Sequence, residues 1–206
     1  MKKRLLVILD SGHGGMVNGQ YTTAPSKMHE FGNGEIAYEG VINRRVKSKL
    51  MELLLQEGIA FKDVTEGNYD ISLFMRTTLA NNLYDFYRET HEMLYLSIHS
   101  NAGGGSGFEV WTSPGQTMSD QYAEIWSQEL KKTFPGFPFR AHIADGDLDK
   151  EEKFYVLVHT IMPAVLGELL FFDNYKDYKV IQHPFYVDQV AQSIINFLKR
   201  AQKELL

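Results

Sequence analysis

Two kinds of hydrophobic pattern alternate along this chain. Arg4–Leu9 and Ala164–Phe172 are nearly unbroken apolar runs of strand length, as expected for strands covered on both faces. Leu94, Leu96 and Ile98 alternate with Tyr95 and Ser97, and Ile59–Val64 and Phe108–Thr112 read as shorter strands. Elsewhere the apolar positions recur at three- and four-residue steps. Tyr38, Val41, Ile42, Val46, Leu50, Leu53 and Leu54 predict a helix that stops at Gly58. Phe74, Leu79, Leu83 and Phe86 predict a second, beginning at Asp70 or Ser72. Met118–Thr133 is amphipathic, with Tyr122, Ile125, Trp126 and Leu130 on one side. Phe154–Thr160 is a short helix candidate, and Phe185–Leu206 is the last helix. Strands and helices in alternation, without internal repeat or linker, predict one α/β domain over residues 1–206: a mixed twisted sheet flanked by helices.

The strand ends carry the chemistry. The run 94–101 delivers His99 just before Asn101 and the glycines Gly103, Gly104, Gly105 and Gly107. The N-terminal run does the same, ending in Asp10-Ser11-Gly12-His13-Gly14-Gly15. A lone histidine at a turn is an ordinary polar cap. Two strands that each deliver one into a glycine-rich exit loop point to a single site, at the carboxyl ends where open α/β sheets bind ligands. Glu168 is the only charge in the run 164–172, and a carboxylate in a buried strand is costly unless paired, protonated or functional. Glu39, in the first turn of its helix, also suits the helix dipole. The polar connection Gly14–Tyr38 is long enough to be functional or mobile.

The totals remove several alternatives. A net charge of −5 over 206 residues, with no basic stripe, argues against a nucleic-acid partner. There is no cysteine, so a metal has only His, Asp and Glu to hold it. No segment has the length and apolarity of a membrane span. Met1-Lys2-Lys3-Arg4 is charged like the start of a signal peptide, but the apolar run behind it is too short, so it reads as the first core strand. The run Asp145, Asp147, Asp149 starts like a calcium loop, yet Gly146 takes its second position and the glycine and final glutamate of that pattern are missing. It reads instead as a solvated rim.

Taken together, Asp-x-Gly-His-Gly-Gly, a Glu at a helix start, Ser-Ile-His-x-Asn and Pro-Ala-Val-Leu-x-Glu resemble the zinc-dependent N-acetylmuramoyl-L-alanine amidases of the third amidase family. The resemblance runs over roughly residues 4 to 200. Asp70-Ile-Ser-Leu73 through Arg76 and Ala80-Asn81 looks like a helix of that family, and Gly107-Phe-Glu-Val110 like its strand after the glycine loop. Tyr38 to Arg44, Ser119-Asp120 and the segment near Arg140 look closest to phage and prophage endolysins. Ser11 stands where the family usually has proline, Glu66 where many members have arginine, and Leu169 where glycine is common.

The resemblance implies a peptidoglycan hydrolase that cuts the amide between the MurNAc lactyl group and L-alanine. It makes His13, Glu39 and His99 zinc ligands, with Glu35 as the alternative to Glu39, and Glu168 the catalytic glutamate. Two histidines and a glutamate leave a fourth position open for water, whose pKa zinc lowers toward about 7. Glu168 would take the water's proton and pass one to the leaving amine, its own pKa raised by Val165, Leu166, Leu169 and Leu170. Asp10 is either a turn residue or the partner that sets the His13 tautomer. Asn101 and Arg140 are rim candidates for the peptide or sugar, and His142 a further one. His29, His91, His159 and His183 read as exposed or capping residues.

The expected protein is a monomeric catalytic domain without a separate wall-binding domain or signal peptide, made in the cytoplasm and reaching the wall through a holin. A zinc peptidase cutting within the stem peptide, and a non-catalytic wall-binding module, are the rival readings.

Overall fold

The structure, a computed structural model, describes residues 3–142 and 146–206. Its first strand, β1 (Arg4–Ser11), is buried from Leu5 onward, as the unbroken apolar run requires. The chain then forms two small antiparallel ribbons. One pairs β2 (Met16–Val17) with β3 (Gln20–Tyr21), the other β4 (Met28–Glu30) with β5 (Ile36–Tyr38). The long polar connection, read as functional or mobile, is thus locally built. It leads into α1 (Glu39–Gln56), which ends where Gly58 takes a φ of 65°. There follow β6 (Ala60–Asp63), α2 (Leu73–Tyr87) capped by the Ser72 hydroxyl, and β7 (His91–Asn101). The remaining elements are β8 (Phe108–Thr112), α3 (Met118–Thr133), β9 (Lys150–Glu151), α4 (Tyr155–Val158), β10 (Ala164–Phe171), α5 (Tyr175–Gln182) and α6 (Pro184–Glu204).

The six-stranded sheet has the order β6-β1-β7-β10-β8-β9. Its first four strands are parallel, and β8 runs antiparallel to β10, so the sheet is mixed. Leu5, Val7, Leu9, Leu94, Leu96 and Ile98 point to the side covered by α1, α3 and α6. Leu6, Ile8, Tyr95, Ala164 and Leu166 point to the other side, against α2 and α4. Burial on both faces is why the central strands read as continuous apolar runs. The carboxyl ends of β1, β7 and β10 finish together beside the amino end of α1.

Three expectations change. On α2, Phe74 and Phe86 are 66% and 77% exposed, and the inward side is Arg76, Thr77 and Ala80. Arg76 goes in because the Asp10 carboxylate is there to receive it. The short helix at 154–160 is one turn, Tyr155–Val158. Two elements had no apolar signal: α5, capped by the Asn174 side chain, and β9. Among the described residues no helix is long and apolar enough to cross a membrane.

The acidic run is not a solvated rim throughout. Asp145 lies outside the described residues, but Asp149 is buried and accepts the Thr112 hydroxyl at 2.5 Å. Burial, reinforced by Asp147, pushes its carboxyl up to about 7. Below pH 4 both folded and unfolded chains hold this proton. Between about pH 4 and 7 the unfolded chain releases it first, so stability falls as pH rises through that window. Asp149→Asn mimics the protonated acid. The variant should match the parent in denaturant titrations near pH 4 and exceed it at pH 8 by on the order of 1–3 kcal/mol. A difference independent of pH would show that Asp149 ionises normally in the fold.

Candidate metal centre

His13 leaves β1 through a turn in which it takes a φ of 65°, a left-handed conformation uncommon for a residue with a side chain. That turn swings its ring over the end of the sheet. Gly12 leaves room for the second ring: a Cβ there would lie 2.2 Å from the His99 ring. Gly40 does the same for α1, since a Cβ would lie 1.9 Å from the Gly14 carbonyl oxygen. The helix start therefore packs directly against the His13 loop. Arg44 fixes the two together, donating to the carbonyls of His13, Gly40 and Gly67.

The Glu39 carboxylate consequently lies between the two rings. Its Oε1 is 3.2 Å from His13 Nε2 and 3.0 Å from His99 Nδ1, and the side chain is 2% exposed. One donor atom from each of the three residues falls within 4.8 Å of the others. Burial alone would raise the Glu39 pKa, but the two imidazoles bring it down to about 2, and the carboxylate in turn raises that of His99. His13 Nε2 is buried without a hydrogen-bond partner among the described residues. Three ligands about 2.1 Å from a tetrahedral centre would have donors roughly 3.4 Å apart, close to the 3.2 and 3.0 Å that separate Glu39 Oε1 from the two imidazoles. The donor set, its spacing and the orphaned nitrogen all fit zinc.

Glu168 is directly across from His99 in the parallel pair of β10 with β7. Its Oε2 is enclosed and lacks a hydrogen-bond partner among the described residues. Burial pushes the carboxyl up to about 8, His99 opposing and the Glu39 charge adding to the rise. The register of β10 shifts just beyond, where Leu170 takes a φ of 67°. The irregular backbone is thus at Leu170 rather than at Leu169. A cavity of about 310 Å³, lined by residues that include His13, His99, Asp70 and Leu73, opens beside the rings.

Other candidates fall differently. Glu35 sits in the β4–β5 turn, bound to Lys179 at 2.8 Å and to Asn33, and does not join the cluster. Asp10 does not hold His13. It pairs in register with Ser97, accepts that hydroxyl at 2.6 Å and takes Arg76 Nη1 at 2.8 Å. It still acts on the site as a buried charge, lowered by Arg76 and His99 against burial. Asn101 is occupied internally, donating Nδ2 to Glu109 and accepting the Ala102 N–H. Arg140 also reaches Glu109, and His142 is exposed. Ser11 donates its N–H to Thr65 Oγ1, a bond that a proline would forfeit. His183 accepts from Phe185 N–H at the start of α6, a cap as expected. Sequence reasoning missed Lys27, whose Nζ lies 3.9 Å from Glu39 Oε2 and whose carbonyl accepts the Glu39 N–H. It also missed Glu109, whose lone acid in a strand was as visible as Glu168.

Known proteins share this arrangement of chain. At 30% identity over 198 residues, the chain is similar to the N-acetylmuramoyl-L-alanine amidase CwlM of Bacillus licheniformis, covering 95% of this chain and 68% of that one. An endolysin of Bacillus phage SPP1 is 27% identical, with 91% and 62% covered. Among solved structures, an N-acetylmuramoyl-L-alanine amidase from Clostridium difficile 630 superposes over the full length of both chains with a TM-score of 0.77, at 24% identity. The family model described as N-acetylmuramoyl-L-alanine amidase (Amidase_3) matches residues 7–200, and the chain belongs to that family of hydrolases.

Proposed function

We propose that this protein is a zinc-dependent peptidoglycan hydrolase that cleaves the amide between the MurNAc lactyl group and the first L-alanine of the stem peptide. The observation that carries the reading is the convergence of His13, Glu39 and His99 with the unpartnered Glu168 carboxyl one strand away. His13, Glu39 and His99 would hold the metal, which when bound would supply Lewis acidity and a water of lowered pKa, toward about 7. Glu168 takes a proton from the attacking water and returns one to the leaving amine. Its burial, with the Glu39 and Glu109 carboxylates nearby, keeps its proton affinity high. Asp10 and Arg76 hold the end of β1 from below, and Arg44 holds the His13 loop against α1. The similarity to a phage endolysin supports action on the cell wall.

Digestion of purified peptidoglycan by zinc-loaded and chelator-treated protein, with mass analysis of the products, tests the reading. Stem peptides that begin at L-alanine, absent after chelation and restored by zinc, are the expected products. Cuts within the peptide would make the protein a peptidase on the same metal site. No cut by protein that retains zinc would make it a binding module.

A further inference from the structure

A second buried carboxylate stands beside the proposed base. Glu109 is directly across from Glu168 in the antiparallel β8/β10 pair, and Glu168 across from His99, so the three side chains form a row on one face of the sheet. Glu109 is 3% exposed, and four donors meet its oxygens. They are Arg140 Nε at 2.6 Å, Asn101 Nδ2 at 2.9 Å, Trp111 Nε1 at 3.1 Å and Lys150 Nζ at 3.1 Å. One buried anion thus holds two cations, one strand away from Glu168.

Both side chains reach the surface in part, Lys150 with 23% exposed. The Arg140 side chain is 45% exposed, and among the described residues its terminal nitrogens make no hydrogen bond. Its guanidinium lies 5.3 Å from the Phe171 ring centre, and the Lys150 ammonium 4.5 Å from that of Trp111. Each head is therefore held by an acid on one side and a ring on another. Donors ordered before a ligand arrives are what strong, selective carboxylate recognition needs.

We infer that Arg140 and Lys150, positioned by Glu109, form a subsite for a carboxylate of the stem peptide. The inference rests on the amidase reading, which puts the scissile bond one strand away. Its consequence is that the enzyme selects substrates by the charge of the peptide it removes.

The test uses zinc-loaded protein and two muramyl peptides that differ only in whether the residue after L-alanine carries a free carboxylate or its primary amide. The parent should cleave the carboxylate form with a kcat/KM on the order of 10-fold higher. Arg140→Gln, Lys150→Gln and Glu109→Gln should each bring the ratio toward unity by slowing the carboxylate substrate. A parent indifferent to the two forms, or a preference that survives Arg140→Gln, overturns the subsite and leaves the amidase reading intact. A parallel titration with L-alanyl-D-glutamate and its α-amide, followed by NMR, reads the subsite without hydrolysis. Carboxylate-selective binding that Arg140→Gln abolishes would support it even if neither muramyl peptide were cut, the result that would overturn the amidase reading.

Discussion

Glu168→Gln should reduce amide hydrolysis by roughly 10²–10⁴-fold while the protein still folds and still binds zinc, the range expected when a positioned general base is lost. Glutamine keeps the shape of the side chain and cannot take a proton. Because Glu168 Oε2 has no partner among the described residues, the change breaks no hydrogen bond described there. The fold should tolerate it for a second reason: a carboxyl whose pKa is pushed up to about 8 is already neutral in much of the metal-free protein at pH 7. The effect should appear in kcat, since proton transfer belongs to the transition state rather than to substrate binding. Hydrolysis of a muramyl peptide and zinc content by mass spectrometry, measured on the same preparation, decide the matter. Parent-like turnover by a zinc-loaded variant would remove Glu168 from the mechanism. Loss of zinc together with activity would make Glu168 part of the metal's hold rather than the base.

The residues that read most clearly in sequence are those whose meaning is local. His13 and His99 stand out because each follows a strand and precedes glycines, and the fold brings both to one place. Glu168 stands out because one charge interrupts an apolar strand. The choice between Glu35 and Glu39 was not local. Both precede or begin the same helix, and only the β4–β5 ribbon, which puts Glu35 in its turn, separates them. Asp10 was visible as a residue, but its partner was not, since Arg76 lies 66 positions away. The same long-range pair explains why α2 turns Phe74 and Phe86 outward: an inward arginine meeting a buried acid outweighs the orientation that periodicity favours. Glu109 was legible as a charge in a strand, yet its meaning depends on Arg140 and Lys150, 31 and 41 residues further along. Pattern finds the elements and the chemistry at their ends; the electrostatic partners come from topology.

Glu39→Gln should abolish both hydrolysis and the stabilisation that zinc confers, whereas Glu35→Gln should preserve both. For the parent, zinc at 100 times its dissociation constant adds about 2.7 kcal/mol to stability, through preferential binding to the folded state. For a chain of this size that corresponds to a rise in Tm of roughly 5–11 °C, removed by a chelator. Glutamine at 39 fills the same space between the rings but offers a neutral oxygen in place of the anion. It also removes the charge that raises the His99 pKa, so the variant's metal-free form loses the attraction that now draws the two imidazoles to one oxygen. Glu35 is bound to Lys179 at the rim, and neutralising it weakens an exposed contact worth little. Thermal unfolding of both variants with zinc and with chelator, alongside metal content, separates the two acids. A Glu39→Gln protein that binds zinc one-to-one and keeps the parent's Tm rise would show that the helix start is not a ligand. In that case the carboxylate between His13 and His99 serves only to orient the rings, and the metal's third ligand must be sought in Glu168, the acid directly across from His99.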